Sequence, residues 1–121
     1  MKYCYDDLFY IITNYRWIKE TIIQSEILIE HSKSNDFLMK MNENKIDEVN
    51  ELKAKINYID EHVELIADKK TYWIINLLME GTPKKKIKKI MKISHETLMK
   101  KVDEGIEIIL KYEREYKQVA K

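Results

Sequence analysis

The sequence predicts an all-α protein. Apolar residues recur at spacings of three and four over most of the chain, and no stretch alternates as a half-buried strand does. Two glycines and one proline also leave little punctuation for hairpins or phosphate loops. Residues 1–70 are expected to form a long helical hairpin or coiled-coil segment suited to oligomerisation. Residues 71–121 are expected to form a helix-turn-helix with an extended last helix. With 121 residues, 36% charged and 45% hydrophobic, the chain suits one domain, or a small domain with a helical extension, rather than disorder.

The first period runs through Leu8, Ile11, Tyr15, Ile18, Ile22, Ser25 and Ile29, which predicts one helix over residues 6–31. Asp6 and Asp7 supply its negative start. "HSKSND" then reads as a turn, and the short apolar run 37–41 leaves the start of the next helix open. The second period, Ile46, Val49, Leu52, Ile56, Ile59, Val63 and Ile66, predicts a helix over residues 45–67. Two seamed helices with a polar linker fold most simply as an antiparallel hairpin, and pairing between chains is the competing arrangement. A third helix is expected over residues 71–79, capped by Thr71, with Trp73, Ile74, Leu77 and Leu78 as core candidates. Gly81 supplies a turn, Thr82 an N-cap and Pro83 the first position of a fourth helix over residues 83–91, whose apolar face is Ile87, Ile90 and Met91. Lys92 and Ile93 connect it to a fifth helix capped by Ser94 and running from His95 to about residue 116. Its seam is Leu98, Val102, Gly105, Ile109, Tyr112, Tyr116 and Val119.

Several function classes find no support. Cys4 is the single cysteine, so no disulfide can form within the chain, which fits a reducing cytoplasm. Asp6 and Asp7 precede any long apolar run, so no signal peptide is expected, and no apolar stretch is long enough to predict a membrane span. His31, His62 and His95 are not at metal-ligand spacing and read as surface or boundary residues; no metal and no cofactor are expected. The tyrosines and Trp17 read as core or interface residues. No nucleophile–base set or phosphate loop occurs, so no enzymatic activity is predicted.

The charge distribution carries the functional signal. "EGTPKKKIKKIMKISHETLMKK" holds eight lysines. From residue 83 to 101 those eight face one acid, Glu96, a local charge of +7, whereas the rest of the chain has 14 basic and 20 acidic residues, a net of −6. A basic block in an acidic chain points to a polyanion site. A solvated lysine face competes with that reading. An interfacial membrane helix is disfavoured, because the apolar face is narrow and no aromatic residue lies between 83 and 101. Two short-linked helices, the second opening on Ser94, have the form of a helix-turn-helix. In that geometry the first helix crosses the backbone of double-stranded DNA and the second sets its opening turns in the major groove. Base contacts then fall to His95, Glu96, Met99 and Lys100. Phosphate contacts fall to Thr82, Lys84, Lys85, Lys86, Lys88, Lys89, Lys92, Ser94 and Lys101.

Residues 77–110, "LLMEGTPKKKIKKIMKISHETLMKKVDEGIEIIL", resemble region 4 of sigma-70-type factors. Glu80-Gly81-Thr82 resembles that family's acid–Gly entry, Ile87 its helix-core isoleucine, and Ile93-Ser94 its turn and cap. Thr97-Leu98, Val102, Gly105 and Ile109 resemble its recognition-helix core. The likeness covers about a third of the chain. Lys88 and Lys92 stand where the family usually has alanine and glycine, and Glu104 where a basic residue is common. In overall pattern the chain is similar to small phage regulators of the RinA/ArpU type. That resemblance implies promoter binding for late or packaging genes, with RNA polymerase as a candidate partner. A homodimer is expected because most helix-turn-helix proteins read two half-sites. A full sigma factor is not expected, because residues 1–70 lack a basic, aromatic-rich stretch for single-stranded DNA. The alternative is a helical protein-interaction factor, a packaging adaptor or polymerase-binding protein, without sequence-specific DNA binding.

Overall fold

The computed structural model describes residues 3–117. Seven α-helices follow in order: α1 (Tyr5–Thr13), α2 (Tyr15–Ser32), α3 (Asp36–Met41), α4 (Glu43–Val63), α5 (Lys69–Met79), α6 (Lys84–Met91) and α7 (His95–Tyr112). The last continues as a π-helical turn, Glu113–Lys117. No strand occurs among the described residues, so the chain is all-α. The expected seam residue Val119 lies outside them, as does the side chain of Tyr116.

The single first helix expected over residues 6–31 is divided at Asn14, whose backbone leaves the helical region (φ −117, ψ 14). The cause is local. Thr13 Oγ1 donates to the Phe9 carbonyl at 2.8 Å and Asn14 Nδ2 to the Tyr10 carbonyl at 2.9 Å, so both side chains compete with the helix ladder. The ladder still bridges the bend, from Asn14 N to Tyr10 O at 3.0 Å and from Ile18 N to Asn14 O at 2.8 Å. The bend lets α1 pack against α4, α5 and α7 while α2 runs along α4.

Helices α2 and α4 lie antiparallel within one chain. The Tyr15 hydroxyl donates to Asp60 Oδ1 at 2.6 Å near one end of the pair, and Lys53 meets Glu26 at 2.7 Å further along. Ile18 and Ile22 of α2 and Val49, Ile56 and Ile59 of α4 are buried in it. One continuous core joins these residues to Leu8, Ile11 and Ile12 of α1, Ile74, Ile75 and Leu78 of α5, and Leu98, Val102, Ile106 and Ile109 of α7. Each such side chain contributes on the order of 1.5–3 kcal/mol by leaving water.

Other boundaries move for identifiable reasons. Helix α4 ends at Val63 rather than residue 67, because Leu65 N and Ile66 N bond back three residues, to His62 O and Val63 O, in a tightening turn. Asp68, not Thr71, caps α5. Its carboxylate accepts from Thr71 N at 3.0 Å and Thr71 Oγ1 at 2.7 Å, and Thr71 is itself buried. Trp73, expected in the core, is 56% exposed, since Thr71, Ile74, Ile75 and Leu78 occupy the inner face and Trp73 projects from the opposite one. His62, expected at the surface, is 3% exposed. Helix α7 departs from α-geometry at Glu113, before the residue 116 expected.

The Asp68 cap gives a pH prediction. The Thr71 hydroxyl, then the Thr71 backbone N–H, hold its carboxyl below the usual 3.8. A depressed carboxyl stabilises the fold above its unfolded value, and that contribution is lost as pH falls through the lower folded value. Wild-type protein is therefore expected to melt higher than Asp68→Ala near about pH 5, with the gap closing towards about pH 2. Thermal melts across that range check it.

Candidate nucleic-acid interface

The lysine-rich stretch begins where α5 is closed by Gly81 in the left-handed region (φ +86). Gly81 N bonds to Leu78 O and Thr82 N to Leu77 O, each at 3.0 Å, which is the paired bonding of a glycine-terminated helix. Thr82 was expected to cap α6 with Pro83 as its first residue. The structure moves both by one: Pro83 is the N-cap and Lys84 the first helical residue. Proline's extended ψ of 144 forces that choice, and it leaves α6 without a side-chain cap.

Helix α6 is anchored by Ile87, fully buried, with Met91 and Lys88 half-buried beside it. Ile90, expected on the apolar face, is exposed, because only Ile87 and Met91 point inward from so short a helix. Lys84, Lys85, Lys86, Lys89 and Lys92 are exposed. Lys84 lies 5.8 Å over the Phe9 ring of α1. None of the lysines at 84, 85, 86, 88, 89, 92 and 100 is among the described ion pairs.

Lys92 ends α6 in the left-handed conformation, φ 56 and ψ 51, and is the one described non-glycine residue with positive φ. Ile93 N and Lys92 N both bond to Lys88 O, closing the turn into α7. The backbone thus adopts the geometry that suits glycine, with a lysine installed. Lys92→Gly is expected to raise stability by about 1 kcal/mol, because the Cβ–carbonyl clash disappears. A denaturation curve reads the gain, and a parallel binding titration reads what the lost charge does.

Ser94 caps α7, accepting from Thr97 N at 3.1 Å. His95, Glu96 and Lys100 are exposed and Met99 is half-buried, so the four expected base-contacting residues share the opening turns of α7. Lys101 differs from the other lysines. It sits 3.4 Å from Asp68 and 3.3 Å from Glu104, and the Glu104 contact first of all raises its ammonium pKa. Its charge is compensated within the chain.

The sequence reading missed two features here. Asp103, Glu104 and Glu107 follow Lys100 at intervals of three, four and seven, so the face of α7 beyond its opening turns is acidic. Asp103 accepts a hydrogen bond from the Tyr5 hydroxyl of α1, and burial, then this bond, push the phenol up to about 12. The helical period alone would have exposed the acidic strip. The Tyr5 contact spans 98 residues of sequence and had no local signal. Gly105 explains how α7 is held: a Cβ there would lie 3.0 Å from Ile75 Cγ1 and 3.3 Å from Thr71 Cγ2, so α5 and α7 approach closely only with glycine at this position.

Comparison of the chain with family models, with curated proteins and with solved structures returned no match. Among the described residues no three His, Cys, Asp or Glu side chains gather as a metal site requires, and no helix is long and apolar enough to cross a membrane.

Proposed function

We propose that this chain is a DNA-binding transcriptional regulator of the phage late-gene type, which sets the opening turns of α7 in the major groove and lays α6 against the phosphate backbone. One observation carries the reading. Lys84, Lys85, Lys86, Lys89, Lys92 and Lys100 are exposed and outside the described ion pairs, in a chain whose remaining residues are net negative. Lysines that neutralise phosphates release counterions and give affinity without sequence information. Residues His95, Glu96, Met99 and Lys100 are then left to read base edges. The resemblance of residues 77–110 to sigma region 4 supports the same assignment, with RNA polymerase as a further partner.

The test is a titration of fluorescent duplex from the chain's own upstream region at several salt concentrations. Four phosphate contacts give a slope of log K against log salt of about −3.6. Indifference to duplex DNA at about 50 mM salt, where such contacts are strong, would sink the proposal.

A second reading is favoured by the acidic strip Asp103, Glu104 and Glu107 and by the exposed Trp73, which suit contact with another protein. In that reading the chain is a helical interaction factor, a packaging adaptor or polymerase-binding protein, and the basic surface serves as a protein dock.

A further inference from the structure

The α2–α4 pair leaves an apolar groove unfilled on one side. Its floor is Ile22, Ile23, Ile27, Ile46, Val49 and Ile56, and its two open parts, about 630 and about 280 Å³, meet at Ile23 and Lys53. The seams that face inward are spent on the intramolecular pair, yet Ile23 and Ile27 remain 58% and 52% exposed. We infer that this groove is the contact surface for a second copy of the chain, two α2–α4 pairs joining about a two-fold axis into a four-helix bundle.

One observation selects a second copy as the occupant, and a second is compatible with it. The first is the order of residues along the exposed strip of α2. Lys19, Ile23, Ile27 and Glu30 follow at intervals of four, four and three, so they share one face. The strip reads basic, apolar, apolar, acidic. Turned end for end about an axis near Ser25, it meets itself with each position complementary: Ile23 against Ile27 of the second copy, and Lys19 against its Glu30. Two-fold symmetry makes every contact twice. Within the chain Glu30 also meets Lys33 at 2.9 Å and Lys19 lies 5.2 Å over the Tyr15 ring, so the contact across the axis would be shared with these neighbours.

The second observation is area. The chain exposes 8320 Å². A compact monomer of 14.7 kDa is expected to expose about 6,900 Å², roughly 1,400 Å² less. A standard dimer interface takes about 800 Å² from each partner, which the excess accommodates. The inference does not depend on DNA binding, and its test contains no DNA, so either can fail alone.

Equilibrium sedimentation of the full chain from about 1 to about 100 µM provides the test. The wild type is expected to approach twice 14.7 kDa at the upper end. Ile23→Glu/Ile27→Glu is expected to stay at monomer mass with an unchanged helical circular dichroism spectrum, since both side chains are solvent-facing. Lys19→Glu or Glu30→Lys alone places like charges opposite each other twice and is expected to weaken association by at least about tenfold. Lys19→Glu/Glu30→Lys together restores the pairing, and recovery of the wild-type dimer identifies the partner as another copy in this register. A wild type that remains monomeric overturns the inference. So does a double swap no tighter than either single change, or a dimer that survives the Ile23→Glu/Ile27→Glu substitution.

Discussion

Glu113→Ala is expected to lower stability by about 1–3 kcal/mol, the range for removing a partner of a buried polar group. Glu113 begins the π-helical turn after α7 and is buried against α4. His62 Nε2 lies 3.6 Å from Glu113 Oε1, and His62 Nδ1 donates to the Tyr58 carbonyl at 2.7 Å. The Tyr58 ring stacks on His62 with centroids 4.0 Å apart. Burial, then a hydrogen bond to Glu113, push its phenol well above the ordinary value. One side chain therefore faces two buried polar groups, and removing it takes a partner from each. A domain of this size has only about 5–15 kcal/mol in total, so the change is readable as a large fall in denaturant midpoint. Tyr58→Phe/His62→Leu/Glu113→Leu is expected to recover part of the loss, because the polar groups that faced one another are replaced together by apolar ones. A Glu113→Ala midpoint within error of wild type would show that the carboxylate is not holding this cluster.

The cluster also shows how far the sequence could be read. His62 lies three residues after Ile59 of the α4 seam, and Glu113 lies four after Ile109 of the α7 seam, so helical spacing brings both near the inner face. The surface or boundary reading of His62 rested on residue type, because polar groups that meet across elements are invisible in a linear reading. Trp73 is the same error reversed: a large apolar residue on the outer face of a helix whose inner face was already full. The seams of α2, α4 and α7, the Ser94 cap and the all-α class were legible because each rests on a local period or a local hydrogen bond. The bend at Asn14 had a local signal in Thr13-Asn14, yet the unbroken apolar rhythm across it masked the break. The packing of α1 on α7 was not legible, since it depends on where the bend sends nine residues.

For the basic surface, Lys85→Glu/Lys86→Glu/Lys89→Glu is expected to weaken duplex binding by about 10²–10³-fold at 0.1 M salt. Three lost phosphate contacts remove about 2.7 from the slope of log K against log salt, and at one decade below molar salt that slope is the loss itself. The three lysines are exposed and outside the described ion pairs, and Ile87, which anchors α6, is untouched. Folding is expected to be unharmed. The substitutions put acids at the second and third positions of α6, where the helix dipole favours them. Lys88 then faces an acid at position 85, while positions 85 and 86 still meet a like charge at 89, which lies in the last turn, so the remaining charge effects on α6 largely cancel. This contrast distinguishes a DNA surface from a merely solvated one: affinity falls by orders of magnitude while the melting temperature holds. Lys101→Glu is the internal control. Its ammonium is already held by Asp68 and Glu104, so its loss is expected to cost stability more than DNA affinity. No loss of binding in the triple variant would assign the lysines of α6 to solvation, and equal loss in both variants would place Lys101 in the binding surface despite its contacts with Asp68 and Glu104.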